Sequence, residues 1–232
     1  MSMLLQLAER AKGFCRRVAV AAAHDEDALA AVVSAADDGV CDALLVGDAE
    51  RIRTMLGALG VEPGRLEIVD CADDESCAAA AVQAALDGRA DMLLKGRLGT
   101  AALMREVVRS ALLTGRLLSH VMLYELPGFP RLLADTDGGL NPAPDLEKKQ
   151  AILENAARFL LSIGYERIVA ACLSGSEAVS EKIPSSTDPR MTVEWTSQPS
   201  SSSSSPSARR AFSSALALTD RAIRTSSVCR RG

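Results

Sequence analysis

Three polar segments of the sequence follow apolar runs, and their residue types suit the binding of an anion or of a polar ligand. The first is Lys-Gly-Arg-Leu-Gly-Thr at 95–100. Lys95 supplies a compact positive charge, and the glycines Gly96 and Gly99 let backbone N–H groups approach a ligand where a helix begins, at Thr100. The segment matches neither a P-loop nor a GxGxxG motif. It therefore predicts either a phosphate cradle or an ordinary turn between a strand and a helix.

The second segment places two carboxylates, a hydroxyl and a carboxamide close together. Asp135, Thr136 and Asp137 are followed by two glycines and then by Asn141. Such a loop can orient a polar ligand or a magnesium ion. The alternative is a solvated turn, for which Asp, Asn and Gly are the usual residues.

The third segment, 174–188, also follows an apolar run and carries Glu177, Lys182 and Thr187. Its Ser, Thr and Lys side chains could bind phosphate oxygens, including those of a nucleotide cofactor. The alternative is a loop at the start of a helix, with these side chains in solvent.

The two histidines, His24 and His120, each end an apolar run. No Ser-His-Asp spacing accompanies them, so a structural role and a catalytic role for His120 both stay open.

Repeated strand–helix units must position these segments. Apolar runs with β-branched residues alternate with capped, helix-spaced segments, which predicts a parallel sheet covered on both faces and hence an α/β fold. Ligands bind such sheets beyond the carboxyl ends of the strands, where the polar segments lie. We predict strands at 17–23, 42–48, 66–70 and 91–96, each followed by a helix; then two strands at 120–126 and 131–136, a helix at 144–163 and a buried strand at 167–173.

Composition bounds the class of protein. The 232 residues are 48% hydrophobic, enough for a core, and carry 26 Lys and Arg against 30 Asp and Glu. The N-terminus has no continuous apolar signal region, and no apolar run is long enough to span a membrane. The six cysteines form no CxxC pair or zinc spacing, and the acidic run between Cys71 and Cys77 fits a helix start. We expect a cytoplasmic protein with reduced thiols that binds neither membrane nor nucleic acid.

Taken together, the polar segments resemble the phosphate acetyl/butyryltransferase family, and its butyryl branch more closely. The resemblance covers about residues 15–195. It rests on the order and spacing of five motifs: Asp91-Met-Leu-Leu-Lys-Gly-x-x-x-Thr100, Leu118-Ser-His120, Asp135-Thr-Asp-Gly-Gly-Leu-Asn141-x-x-Pro144-Asp-Leu-Glu147-x-Lys149, Ile152-x-x-Asn155-Ala156 and Glu177-x-x-x-x-Lys182-x-Pro-x-Ser-Thr187-Asp188.

This resemblance implies a two-lobed α/β fold like that of the isocitrate/isopropylmalate dehydrogenases, a homodimer, and acyl transfer between coenzyme A and inorganic phosphate. Coenzyme A is then a substrate, and no metal or other cofactor is implied. Substrate-binding residues would be Lys95, Gly96, Thr100, Glu177, Lys182 and Thr187, and the candidates for catalysis are Asp135, Asn141 and His120. In this reading Lys95 and nearby amides neutralise phosphate, and the 135–141 loop orients the acyl carbonyl or the thiol.

The last 36 residues depart from the family pattern. Residues 197–232 contain 12 Ser, six Arg and one Asp, a net charge of +5, whereas residues 1–196 carry −9. We expect a first lobe at 1–125, a partial second lobe at 126–196 and a disordered tail, with the family's C-terminal part missing or read out of frame. The chain is then expected to be poorly soluble or impaired as an enzyme. The alternatives are a remnant that binds coenzyme A or phosphate without turnover and, more weakly, a nicotinamide-dependent dehydrogenase with Asp135 and Asp137 as magnesium ligands.

Overall fold

The chain folds as alternating strands and helices. A computed structural model describes residues 2–14, 16–113 and 115–173 and the backbone of a strand at 192–196. Its elements in chain order are α1 (Met3–Ala11), β1 (Arg17–Ala21), α2 (Glu26–Asp37), β2 (Asp42–Gly47), α3 (Ala49–Ala58), β3 (Glu67–Asp70), α4 (Asp74–Leu86), β4 (Met92–Lys95), α5 (Thr100–Arg109), β5 (Met122–Tyr124), β6 (Leu133–Asp135), α6 (Leu146–Ser162), β7 (Arg167–Ala171) and β8 (Thr192–Thr196).

Two compact units divide these elements. The first unit comprises the described residues up to Arg116 together with Tyr124–Leu132; the second comprises Leu117–Leu123 and the described residues from Leu133 onward. One contact that ties 124–132 to the first unit is the Glu125 carboxylate, which accepts the Leu4 N–H at 2.8 Å at the start of α1. The units thus interleave where the sequence suggested a single boundary at 126. The assignment of lobes to 1–125 and 126–196 stays a prediction, and the tail at 197–232 lies outside the described residues.

The first unit contains a four-stranded parallel sheet in the order β3-β2-β1-β4. Ala21, the last residue of β1, is paired with Val46 of β2 on one side and with Lys95 of β4 on the other. Because successive side chains of a strand point to opposite faces, β1 divides its residues between two cores. Ala19 and Ala21 pack with α4 and α5, whereas Val18 and Val20 pack with α2 and α3.

All four predicted strand–helix units are confirmed, but full burial of every strand on both faces is wrong. In β4, Leu93 packs against the α4 and α5 core. Its neighbours Met92 and Leu94 point to the other face and remain 46% and 36% exposed. The reason is the sheet order: β4 lies at the edge of the described sheet, and the core beneath α2 and α3 is built on β1 and β2.

The second unit contains the paired strands β5 and β6, the long helix α6 and the antiparallel pair β7–β8. The Asp145 side chain caps α6 by accepting the Lys148 N–H at 2.9 Å. Along β7, Ile168 is buried whereas Val169 is 54% exposed. The sequence prediction of a buried strand at 167–173 is therefore wrong for part of the strand, because Ile168 is covered whereas Val169, on the other face, is exposed. Among the described residues, no helix combines the length and apolar character required to span a membrane.

Candidate functional site

The first unit presents a switch point in its sheet at the carboxyl ends of β1 and β4. From β1 the chain continues to β2 and β3 on one side, and β4 lies on the other side. In open parallel sheets, a reversal of this kind leaves a crevice beyond the strand ends, where ligands bind. The loop that follows β4 there carries Lys95, Gly96 and Thr100 of the sequence analysis. We call these three residues, with the first turn of α5, the strand-end site.

Gly96 fixes the geometry of this site by close backbone contact. Its N–H donates to the Ala21 carbonyl at 2.9 Å, and the next N–H, of Arg97, donates to the Ala22 carbonyl at 3.0 Å. A Cβ atom at position 96 would lie 2.3 Å from the Ala22 carbonyl oxygen. Ala22 itself has a φ of 57°, a strained left-handed conformation for a residue with a side chain. The end of β4 is therefore held against β1 at a distance that only glycine permits.

Lys95 folds over the loop that it begins. Its ammonium donates to the carbonyl oxygens of Gly96 at 3.1 Å and Leu98 at 3.2 Å. These two contacts hold the charge close to the beginning of α5, while the lysine residue as a whole stays exposed. An ammonium group has three donors, so the two carbonyls leave the group able to contact an anion.

The N-terminus of α5 differs from those of the other described helices. Its N-cap is Gly99, no side chain caps it, and its first turn contains no acidic residue. The other helices of the described chain begin with a capping side chain: Ser2, Asp25, Asp48, Asp73 and Asp145. Uncapped N–H groups and the positive end of the helix dipole favour an anion. The strand-end site therefore combines uncapped amides, a lysine and a closely packed glycine turn.

The second unit holds the polar loop at 136–141. The Asp137 carboxylate accepts the backbone N–H of His120 at 3.0 Å, and the Thr136 hydroxyl donates to the His120 carbonyl at 2.7 Å. The Asn141 amide nitrogen donates to the Leu118 carbonyl at 2.9 Å and also to Asp137. Burial opposes the ionised form of Asp137, but these hydrogen bonds and those from nearby backbone N–H groups outweigh it and lower the pKa of this carboxyl.

His120 lies against the glycine of this loop. A Cβ atom at Gly138 would be 2.7 Å from the His120 Nδ1. The backbone of His120 is fixed through both its N–H and its carbonyl, and the residue is exposed. The imidazole therefore lies beside Gly138 on a backbone that is held at both its N–H and its carbonyl.

Asn155 of α6 anchors the same segment from the other direction. Its amide donates to the Leu117 carbonyl at 2.6 Å and to the Ser119 hydroxyl at 3.0 Å. Residues 117–120 are thus held by α6 and by the 136–141 loop together. We call this arrangement the clasp; it comprises Asp137, Asn141 and Asn155 together with residues 117–120, which these three side chains hold.

The structure gives the predicted site residues different surroundings. Lys95, Gly96 and Thr100 lie together at one strand end, and His120 and Asn141 lie together in the clasp. Asp135 is the exposed last residue of β6, two residues before the carboxylate that binds the His120 backbone. Their roles stay predictions. Glu177, Lys182 and Thr187 lie outside the described residues.

Sequence reasoning did not assign a role to Asn155 or to Gly138. The signal in the sequence is a carboxamide at position 155 directly before the apolar positions 156 and 157, because a polar side chain beside the buried face of a helix needs a hydrogen-bond partner. In the part of the chain that the structure describes, no group of three or more His, Cys, Asp or Glu side chains is arranged to hold a metal ion.

Comparison with known proteins shows which family this chain resembles. The family model described as "Phosphate acetyl/butaryl transferase" matches residues 2–86 and 76–202. The phosphate butyryltransferase of Clostridium acetobutylicum is 36% identical over 178 residues, which cover 76% of this chain and 59% of that protein. The phosphate acetyltransferase of Thermotoga maritima is 34% identical over 183 residues, covering 78% of this chain and 62% of that protein. The chain thus spans about three fifths of the length of these relatives.

Two solved structures share the fold. A branched-chain phosphotransacylase from Enterococcus faecalis V583 has a TM-score of 0.56 at 24% identity, over 73% of this chain and 60% of that chain. A phosphotransacetylase from Streptococcus pyogenes has a TM-score of 0.64 at 16% identity, over 80% of this chain and 67% of that chain. The family model matches most of the sequence, and the polar motifs lie at strand ends. The chain therefore belongs to the phosphate acetyl/butyryl transferase family.

Proposed function

We propose that this chain supplies the phosphate-binding residues of an enzyme that transfers an acyl group between coenzyme A and inorganic phosphate. The observation that carries the proposal is the strand-end site, where Lys95 lies beside the uncapped N-terminus of α5. In one direction, a phosphate oxygen attacks the thioester carbonyl, and the products are an acyl phosphate and the coenzyme A thiolate. Lys95, the α5 amides and the Thr100 hydroxyl bind the phosphate oxygens and neutralise their charge.

The clasp supplies the proton chemistry in this proposal. The leaving thiolate must take up a proton, and in the reverse direction the thiol, with a pKa of about 8.5, must lose one. His120 is the candidate for that group because its backbone is fixed by Asp137 and Thr136. Asn141 keeps Asp137 and Leu118 in place, and Asp135 is the second candidate at the end of β6.

The wider setting follows from the family. We propose a two-lobed arrangement like that of the isocitrate/isopropylmalate dehydrogenases, a cytoplasmic homodimer, and no role for membrane or nucleic acid. Acyl transfer of this kind uses coenzyme A as a substrate and requires neither a metal nor a further cofactor. Glu177, Lys182 and Thr187 would complete the substrate site.

Titration with inorganic phosphate tests the strand-end site without relying on turnover. Loss of one charge-assisted contact in Lys95→Met should raise the phosphate dissociation constant by about ten- to hundredfold, the equivalent of about 1.5–3 kcal/mol. Lys12→Met is the matched control because Lys12 pairs with Glu9 on the exposed end of α1. Isothermal titration calorimetry on both variants and on the unmodified protein measures the difference.

Thr100→Asp separates binding from folding. A carboxylate at the first residue of α5 interacts favourably with the helix dipole and stabilises the helix by about 0.3–1 kcal/mol, but its negative charge repels phosphate. We therefore expect an unchanged or higher melting temperature together with loss of phosphate binding. Phosphate binding that survives both Lys95→Met and Thr100→Asp would contradict the proposed site.

Turnover is tested with acetyl phosphate or butyryl phosphate and coenzyme A, by following thioester formation. Thioester formed by the unmodified chain and lost in Lys95→Met supports the transferase. Binding of phosphate and coenzyme A without formation of a thioester would instead support the second candidate, a binding protein without catalytic activity. The strand-end site alone would be enough for phosphate binding by such a protein.

A further inference from the structure

Two cysteine thiols that the proposed reaction does not use lie next to each other at the edge of the first unit's sheet. Cys71 directly follows β3, and Cys77 lies in the first turns of α4. Cys71 packs against the buried cluster that contains Cys77, and each sulfur affects the pKa of the other. Cys77 is fully buried and Cys71 is half-buried, so only Cys71 is open to a reagent in solvent.

The backbone around the pair is held on both sides. The Cys71 N–H donates to the Gly47 carbonyl at 3.1 Å, which fixes the end of β3 to the end of β2. A capping box between Asp73 and Ser76 fixes the start of α4, and the Cys77 N–H donates to the Asp73 carbonyl at 3.0 Å. The thiols are therefore brought together by secondary structure rather than by a chance contact of mobile loops.

The two sulfur atoms differ in reactivity. Burial raises the pKa of Cys77 to about 11, and the neighbouring Cys71 sulfur adds to this effect. Burial also raises the pKa of Cys71, but the neighbouring Cys77 side chain opposes that rise. Since the thiolate is the nucleophile, Cys71 reacts first and Cys77 second, and the rate increases with pH.

We propose that Cys71 and Cys77 are a redox modification site that forms a reversible disulfide with a low-molecular-weight disulfide as the oxidant. The Cys71 thiolate attacks one sulfur of the oxidant, forming a mixed disulfide and releasing one small thiolate. Cys77 then loses its proton to solvent and attacks the Cys71 sulfur, forming the internal disulfide and releasing the second small thiolate. Two protein thiols are oxidised and one small disulfide is reduced to two small thiols.

The pair also contacts the backbone that forms the strand-end site. Ala22 and Cys77 pack in the same buried cluster, where the Ala22 backbone opposes the raised pKa of Cys77, and the Ala22 carbonyl accepts the Arg97 N–H. Oxidation of Cys77 therefore changes a group one residue removed from the Lys95 loop. The proposal itself does not rest on the proposed function, because disulfide formation is measured chemically.

The experiment treats the whole chain with oxidised glutathione over a range of pH and maps its disulfides by mass spectrometry. We expect an internal link between Cys71 and Cys77, faster formation at higher pH, and full reversal by a dithiol reductant. Cys41→Ser is the matched control because Cys41 is also a half-buried thiol, and its loss should leave the link unchanged.

Two variants test the order of the steps. Cys77→Ser should stop at a stable mixed disulfide of glutathione on Cys71, whereas Cys71→Ser should leave Cys77 unmodified in the folded protein. Circular dichroism of each variant confirms that it is folded. The proposal is overturned if the unmodified protein accumulates glutathione on Cys71 without forming the link, or if Cys41 is oxidised while Cys71 and Cys77 both stay reduced.

Discussion

Replacing Gly96 by alanine tests the packing on which the strand-end site depends. The new Cβ would lie 2.3 Å from the Ala22 carbonyl oxygen, 2.9 Å from its carbonyl carbon and 3.0 Å from the Ala21 oxygen. All three are backbone atoms of Ala21, the last residue of β1, and of Ala22, which follows it; both residues are fully buried, so no side chain can rotate to make room. The end of β4 must move away from β1, which breaks the bonds from the Gly96 and Arg97 N–H groups.

The expected loss follows from these contacts. Two backbone hydrogen bonds contribute about 1 kcal/mol each, and overpacking adds about 1–3 kcal/mol. Gly96→Ala should therefore lower the free energy of unfolding by about 3–5 kcal/mol, a large part of the stability of an ordinary domain. At the usual scaling, the melting temperature falls by about 10–20 °C. Urea and thermal unfolding followed by circular dichroism measure both quantities.

Two other glycines provide controls for the same substitution. Gly57 lies inside α3 and no heavy atom is near the position of a Cβ, so Gly57→Ala should stabilise the protein by about 0.5–1 kcal/mol. Gly99, in the same turn as Gly96, also has open space around it, and alanine there should change stability by no more than about 1 kcal/mol. A Gly96→Ala variant within about 1 kcal/mol of the unmodified protein would refute the close approach of β4 to β1.

Three predictions concern the clasp. Asp137 has a lowered pKa in the folded state, so its contribution to stability is present above the unfolded pKa of about 3.9 and is lost as pH falls through the folded pKa. Asp137→Asn should therefore reduce the loss of stability at acidic pH, as measured by unfolding at a series of pH values. An unchanged loss of stability in acid would contradict this. For Gly138→Ala, the three nearest atoms to the new Cβ all belong to the His120 imidazole, which is exposed and can turn aside, so the change should cost less than about 1 kcal/mol. It should nevertheless move the His120 imidazole signals in NMR, with His24 as the unmoved reference. Asn155→Ala loses two hydrogen bonds and should cost about 1–2 kcal/mol in urea unfolding; a neutral effect would mean that the anchor to residues 117–120 is absent in solution.

The sequence predicted the position of Lys95, Gly96 and Thr100 at a strand end because these residues are neighbours along the chain. Lys95 and Gly96 directly follow an apolar run, and Thr100 begins the next helix, so their order along the chain predicts their position at a strand end. The approach of Gly96 to Ala22 could not be predicted in the same way, because these residues are far apart in sequence and meet only through the register of β1 and β4. Nor does the sequence indicate that Ala22 adopts a positive φ.

The clasp was predicted less completely for a related reason. Asp135 and Asp137 lie two residues apart in the sequence, but Asp135 ends β6 and Asp137 lies in the loop beyond it, where the alternation of a strand no longer predicts which way a side chain points. The carboxylate that binds the His120 backbone is Asp137, although the family resemblance selects Asp135 as the candidate for catalysis. Asn155 contacts residues 36 and 38 positions away, a distance at which no periodic pattern carries information.

Strand β4 shows a third limit, and a substitution can test it. The apolar run of β4 looks the same whether one face is covered or both. In the structure Leu93 packs into the core beneath α4 and α5, whereas Met92 points to the other face and is 46% exposed. A change to glutamine should therefore be tolerated at Met92, with a loss below about 1 kcal/mol, and should cost about 2 kcal/mol or more at Leu93.

Solubility gives a second readout of the same face. An exposed apolar strand at the edge of a sheet promotes self-association, so Met92→Gln should reduce light scattering on concentration. Leu93→Gln removes less exposed apolar surface because Leu93 is partly buried, and by destabilising the core it should increase scattering. If both variants instead lose equal stability, then both faces of β4 are covered in solution, and the segment that covers the second face must come from outside the described residues or from another chain.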